Sequence, residues 1–210
     1  VDDIYKRIVK IAEGAALMTE TKLNIKFDKA CSNYIPNRTL GKIMHEKLVE
    51  VGPSEFTEEE KQFAKEIWHS LNEEQKNTAI AKFEGVTEIG DESGRYLADF
   101  IFDLPETEGL HTVSTDVGDV SWVVPTAQCR TATWTIGTPG HSWQVVSQGT
   151  TSIAHKGMLQ TGKVLALTAI ELLENKELLE EVKKEHEEKF KNNPYQCPIP
   201  ADVKPTRLKA

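Results

Sequence analysis

Two histidines stand in surroundings that suit chemistry. His155 closes the β-prone run Ser152-Ile153-Ala154 and is followed by Lys156-Gly157. It reads as the end of a short strand just before an apolar helix, a rigid place to present an imidazole as a metal ligand or an acid/base. The same residue could instead be a capping or buried histidine. His141 lies in Gly137-Thr138-Pro139-Gly140-His141-Ser142-Trp143. Glycines there let backbone approach a ligand and expose N–H donors; the alternative is a loop histidine stacked on Trp143. Asp116 and Asp119 flank Gly118 and could bind metal, orient a histidine, or cap the helix that opens near Ser121. Asn33 and Asn37 sit in a connection with Pro36, where Asn often serves turn geometry. A side-chain amide can also hold a carboxylate or a developing oxyanion.

Other signatures are missing. There is no His-x-Asp, HExxH, Walker loop or GxSxG. Glu58-Glu59-Glu60 and Glu73-Glu74 fall at exposed helix starts, where the helix dipole favours Glu. Cys31, Cys129 and Cys197 are widely spaced, with no CxxC, and read as reduced thiols of a cytoplasmic protein. The chain has 33 acidic and 25 basic residues, net charge −8, and its Lys and Arg are scattered among Glu. A nucleic acid or an anionic membrane needs a concentrated basic patch, so neither is an expected partner. No signal peptide opens the chain, and no apolar run approaches the ~20 residues of a membrane span. Val1 stands where a start Met would, so the chain reads as a fragment or a processed product.

The elements that must position these residues follow from periodicity. Residues 1–19 read as an amphipathic helix, with Ile4, Ile8, Ile11, Ala12 and Ala15 at helical spacing. Residues 21–27 alternate and read as a strand with one wet face. Residues 38–51 form a helix stopped by Gly52-Pro53. Residues 56–71 form another, with Thr57 and Glu60 as a capping box. Ser70 and Glu73 suggest a second box, a break, and a short helix to about Phe83. Residues 84–110 are an irregular loop anchored through 97–104. Residues 111–115 read as a strand, 116–122 as a turn opening a helix ended by Pro125, 129–136 as a strand, and 152–155 as the last strand. Helices over 157–174 and 176–191 follow, the second a charged, solvated face. The tail from 194 is extended.

Five runs carry a resemblance: residues 11–19 (Ile-Ala-Glu-Gly-Ala-Ala-Leu-Met-Thr), 35–40 (Ile-Pro-Asn-Arg-Thr-Leu), 114–122 (Ser-Thr-Asp-Val-Gly-Asp-Val-Ser-Trp), 137–143, and 154–158 (Ala-His-Lys-Gly-Met). In this order they resemble the B-type subunits of aminobenzoyl-glutamate hydrolase, a branch of the dinuclear-metal aminoacylase/carboxypeptidase superfamily. The resemblance covers most of residues 1–190. It implies an α/β fold: the C-terminal part of a mixed-sheet, three-layer catalytic domain, preceded by the last helix and strand of an α+β lid that mediates dimerisation. The implied divisions are 1–37 as lid remnant and connection, 38–191 as catalytic domain, and 192–210 as tail.

By the same resemblance, His155 is the metal ligand; Asn37, Gly137 and His141 bind substrate; and Asp116 and Asp119 lie near the site. The family's other ligands and its general-base Glu match nothing in this chain, so no catalytic residue is assigned to it. In the intact relative two divalent ions, zinc or manganese, generate hydroxide at neutral pH. A Glu moves the proton, and metal with a polar group holds the oxyanion. The expected function is the back half of a metal-dependent amidohydrolase acting on an acyl- or aroyl-amino acid, inactive and metal-free as this isolated chain, and a homodimer. The other expectation is a non-catalytic binding or assembly module that works with another chain.

Overall fold

The computed structural model describes residues 1–105 and 115–204. Eight helices occur among them, and the only β-pairing is an isolated antiparallel bridge between Gly90 and Arg95. The chain divides into two compact units, one of Val1–Ser32 with the residues from Gln196 onward, the other Asn33–Tyr195.

In the first unit α1 spans Asp2–Met18, with Asp2 and Asp3 in its first turn, where acidic side chains complement the helix dipole. The Thr19 hydroxyl donates to the Ala15 carbonyl at 2.8 Å and takes up one of the orphan acceptors of the last turn. No residue of α1 is buried. The Tyr5 and Phe27 rings meet edge to face at 6.3 Å.

In the second unit α2 (Arg38–Val51), α3 (Glu58–His69) and α4 (Glu73–Phe83) follow their sequence signals closely. Asn37 caps α2, and Gly52 ends it at φ 76°. Thr57 and Glu60 form the expected capping box on α3. The break before α4 occurs, but its box is Asn72 with Gln75; the Ser70 hydroxyl instead donates to the Ile67 carbonyl at 2.6 Å. α5 (Val117–Val123) and α6 (Trp143–Gln148) are short. α7 (Ser152–Glu174) packs on α2 and on α8 (Lys176–Phe190). The core joins Ala64, Trp68, Leu71, Ala79, Tyr96, Ile136 and Ile153.

The expected mixed sheet does not form among the described residues. Residues 21–27 and 129–136 carry no strand assignment, because a strand needs a neighbour's N–H and C=O groups. Around 129–136 other partners take those groups: the Thr135 N–H goes to the Gln148 side chain and the Ile136 N–H to the Tyr96 carbonyl. The strand expected at 152–155 is the first turn of α7. The Thr151 hydroxyl accepts from the Ala154 N–H and caps it. Three β-prone residues do not outweigh a capped terminus that buries Ile153 and Gly157. Of the strand expected at 111–115, residues 111–114 lie outside the described residues.

Candidate functional site

α7 presents His155 from its first turn. Its backbone N–H donates to the Thr151 carbonyl at 3.1 Å, and its side chain is exposed. The next residue anchors the turn. The Lys156 ammonium donates to Glu60 Oε2 at 2.6 Å and to the Glu55 carbonyl at 2.8 Å, and lies 5.8 Å from the centre of the Phe56 ring. Burial pushes the Glu60 carboxyl up, but hydrogen bonds from Lys156, Ser152 and the Thr57 N–H outweigh it and hold it below the usual range. On the opposite side of the turn, a Cβ at Gly157 would stand 2.2 Å from the Ala132 carbonyl oxygen. Only glycine lets α7 lie this close to residues 131–133.

His141 sits in a tightly braced loop. Its φ is 58°, in the left-handed region that L side chains rarely adopt. Gly137 has φ 80°, and a Cβ there would fall 3.0 Å from the Ala79 Cβ. Fully buried Gln148 holds the loop: its Oε1 accepts from the Thr135 N–H at 2.7 Å, and its Nε2 donates to Thr138 Oγ1 and to the Gln144 carbonyl. Ser142 caps α6 and donates to the Pro139 carbonyl at 2.7 Å. Gly137, Thr138 and Pro139 form one wall of an open cleft of about 370 Å³ whose other wall is α4, with Asn72, Gln75 and Thr78. Sequence reasoning misses Gln148, since its partners are contributed by the fold and no local motif marks it.

The remaining residues singled out from sequence gather around α5. The Ile35 N–H donates to Ser121 Oγ at 2.8 Å, Trp122 Nε1 to the Asn33 carbonyl at 2.9 Å, and the Asn37 N–H to the Thr126 carbonyl at 2.9 Å. The Asn37 side chain accepts from the Leu40 N–H at 2.8 Å and donates to the Val182 carbonyl at 2.9 Å. Beside it, the Glu185 carboxylate accepts from the Arg38 and Thr39 N–H groups at 2.6 and 2.8 Å. Asp116 occupies the N-cap position of α5, but its side chain makes no cap bond. The Val117 N–H is bonded to Thr115 Oγ1 instead. Asp119 accepts from the Tyr195 hydroxyl at 3.0 Å.

A further cluster has no signal in the sequence. Asp91 accepts from Trp68 Nε1 at 3.3 Å and from the Tyr96 hydroxyl at 2.9 Å, and lies 2.8 Å from His69 Nε2. The contacts of His69 and then Tyr96 hold the Asp91 carboxyl below its usual range.

Among the described residues no three of His, Cys, Asp and Glu come together in a way that could hold a metal ion. The residues present therefore do not by themselves fit the metal centre that the resemblance implies. Nor is any described helix long and apolar enough to cross a membrane.

The braced histidine loop and the five sequence runs point to one class, the hydrolases of amide bonds. Across its entire length the chain is a relative of one such hydrolase: it is 44 % identical over 218 residues to the B-type subunit of p-aminobenzoyl-glutamate hydrolase from Escherichia coli (strain K12). The chain spans 45 % of that relative's length. No family model matches the chain, and no solved structure matches it.

Proposed function

We propose that this chain forms the C-terminal part of a metal-dependent amidohydrolase that cleaves the amide bond of an acyl- or aroyl-amino acid such as aminobenzoyl-glutamate. The supporting observation is 44 % identity, across the entire chain, to one subunit of a p-aminobenzoyl-glutamate hydrolase. In this reading the mixed sheet, the lid and the general-base Glu belong to the part of the protein that this chain does not contain. The chain supplies one imidazole to a divalent-metal centre, zinc or manganese, together with a wall of the substrate site around Gly137 and Asn37.

His155 and His141 are the two candidates for that imidazole. The preference for His155 rests on a place at a strand end, and it stands on a helix instead. His141 carries the left-handed backbone, and strained backbone clusters at ligand clamps and active sites. Replacing each by Ala in the longer protein separates them. Loss of bound metal, read by elemental analysis, marks the ligand; a raised KM with metal retained marks the substrate contact. Retained metal and unchanged kinetics in both variants would overturn the assignment. A longer protein that binds substrate without hydrolysing it would leave the assembly-module reading in place.

A further inference from the structure

α7 is apolar on two opposite faces, and only one of them is covered. Ile153, Gly157, Gln160, Val164 and Thr168 are buried against the rest of the unit. On the other side Met158, Leu159, Leu165, Ile170 and Leu173 are between 48 % and 84 % exposed. At 100° per residue these five, with Gly162, Ala166 and Ala169 among them, fill one continuous sector that holds no charged residue. His155 falls in the middle of the same sector, one turn before Met158 and Leu159, and is itself exposed. An open cleft of about 420 Å³ between the C-terminal end of α2 and α7 adjoins this sector at Ala166. A helix that is apolar all round is built to be buried, whereas a surface helix carries polar residues on its outer face. α8 has that ordinary pattern: Glu180, Glu181, Lys183, Lys184, Glu187 and Glu188 are all exposed.

We propose that the uncharged face of α7, from His155 to Leu173, is the surface on which the remaining part of the same protein docks, so that one packing event covers the apolar stripe and encloses His155. The occupant is the portion corresponding to the 55 % of the relative's length that this chain does not match, and it offers a flat, uncharged, apolar face. Three features select it. The stripe runs roughly 27 Å along the helix at 1.5 Å per residue, longer than a loop or a small ligand would cover. The absence of charge over this length suits permanent packing, since transient interfaces keep polar rims. Small residues at Gly162, Ala166 and Ala169 let another backbone approach closely along the centre of the stripe. Only the identity of the occupant rests on the hydrolase reading; the burial of the face does not.

The test is thiol accessibility. Leu159→Cys and Leu165→Cys are made separately in the 210-residue chain and in the longer protein, with Lys183→Cys on α8 as an exposed control. Labelling by a water-soluble maleimide is followed by mass spectrometry, which distinguishes the new site from Cys31, Cys129 and Cys197. The expected result is labelling at the control rate in the dilute 210-residue chain and at least about tenfold slower in the longer protein at both α7 sites. The control should stay fast in both. Equal rates in the two proteins would overturn the proposal. Protection in the 210-residue chain that grows with its concentration would overturn it in favour of a second copy as the occupant. Labelling is read without substrate or metal, so it can fail while the hydrolase reading stands, and the reverse.

Discussion

The Lys156 ammonium lies 2.6 Å from the Glu60 carboxylate and joins the first turn of α7 to the first turn of α3. The Glu60 side chain is 8 % exposed and that of Lys156 34 %. Removing the cation leaves a buried carboxylate with fewer partners, and the residue that loses its anchor adjoins His155. Lys156→Met is expected to destabilise the fold by about 1–3 kcal/mol, the cost of losing a hydrogen bond to a charged group in a partly buried place. Lys156→Arg should recover much of it. Urea unfolding followed by circular dichroism measures both, and an unchanged midpoint for Lys156→Met would contradict the account.

Glu60 and Glu185 predict a pH dependence. Burial raises the Glu185 carboxyl, but the Thr39 and Arg38 N–H groups outweigh it, and both carboxyls titrate below the ordinary value of 4.5. A depressed folded pKa contributes stability that is present above the unfolded value and lost as pH falls through the folded one. Unfolding midpoints should therefore be steady near neutrality and drop below about pH 4.5. Glu185→Gln should be less stable than the parent at pH 7, with the difference shrinking in acid. A difference that stayed constant down to acid pH would show that Glu185 does not act through its charge.

Two glycines of α7 should respond in opposite directions. A Cβ at Gly157 meets the Ala132 carbonyl oxygen at 2.2 Å, whereas nothing lies within 4 Å of one at Gly162. Gly157→Ala is expected to cost about 1–3 kcal/mol through overpacking. Gly162→Ala in the 210-residue chain should gain roughly 0.5–1 kcal/mol of helix propensity. Thermal melts of the pair decide it; a harmless Gly157→Ala would mean that α7 does not lie against residues 131–133.

Much of the helical frame can be read from local signals. Asn37 and Gly52-Pro53 bracket α2, Thr57 with Glu60 opens α3, and Asn175 caps α8 through the Leu178 N–H. These signals lie within a few residues of what they control. Sequence alone misplaces His155 because Ser-Ile-Ala is short and β-prone, while the capping Thr151 and the burial of Gly157 decide for helix. The Gln148 brace, the His69–Asp91–Tyr96 cluster and the Glu185 contact with α2 are invisible to it, since each joins elements that only the fold brings together. The resemblance identifies the relative, yet the mixed sheet it implies is not formed among the described residues.

α1 leads to a prediction about assembly. Ile4, Ile8 and Ile11 are 61 %, 56 % and 70 % exposed and recur at helical spacing on one side. Packing this stripe would recover about 25 cal/mol per Å² of apolar surface. The 210-residue chain is expected to self-associate through α1, and Ile8→Lys to weaken that association. Sedimentation velocity over a range of concentrations reads it. Identical sedimentation of parent and variant would place any association elsewhere.

The most direct test of the central claim is amide hydrolysis. Release of p-aminobenzoate from p-aminobenzoyl-glutamate would be followed with the longer protein and with the purified 210-residue chain, each with added zinc or manganese. The account predicts turnover by the longer protein, its loss on removing metal with a chelator, and none above background by the 210-residue chain. Turnover by the 210-residue chain alone, or a metal-loaded longer protein that never cleaves the amide, would contradict it.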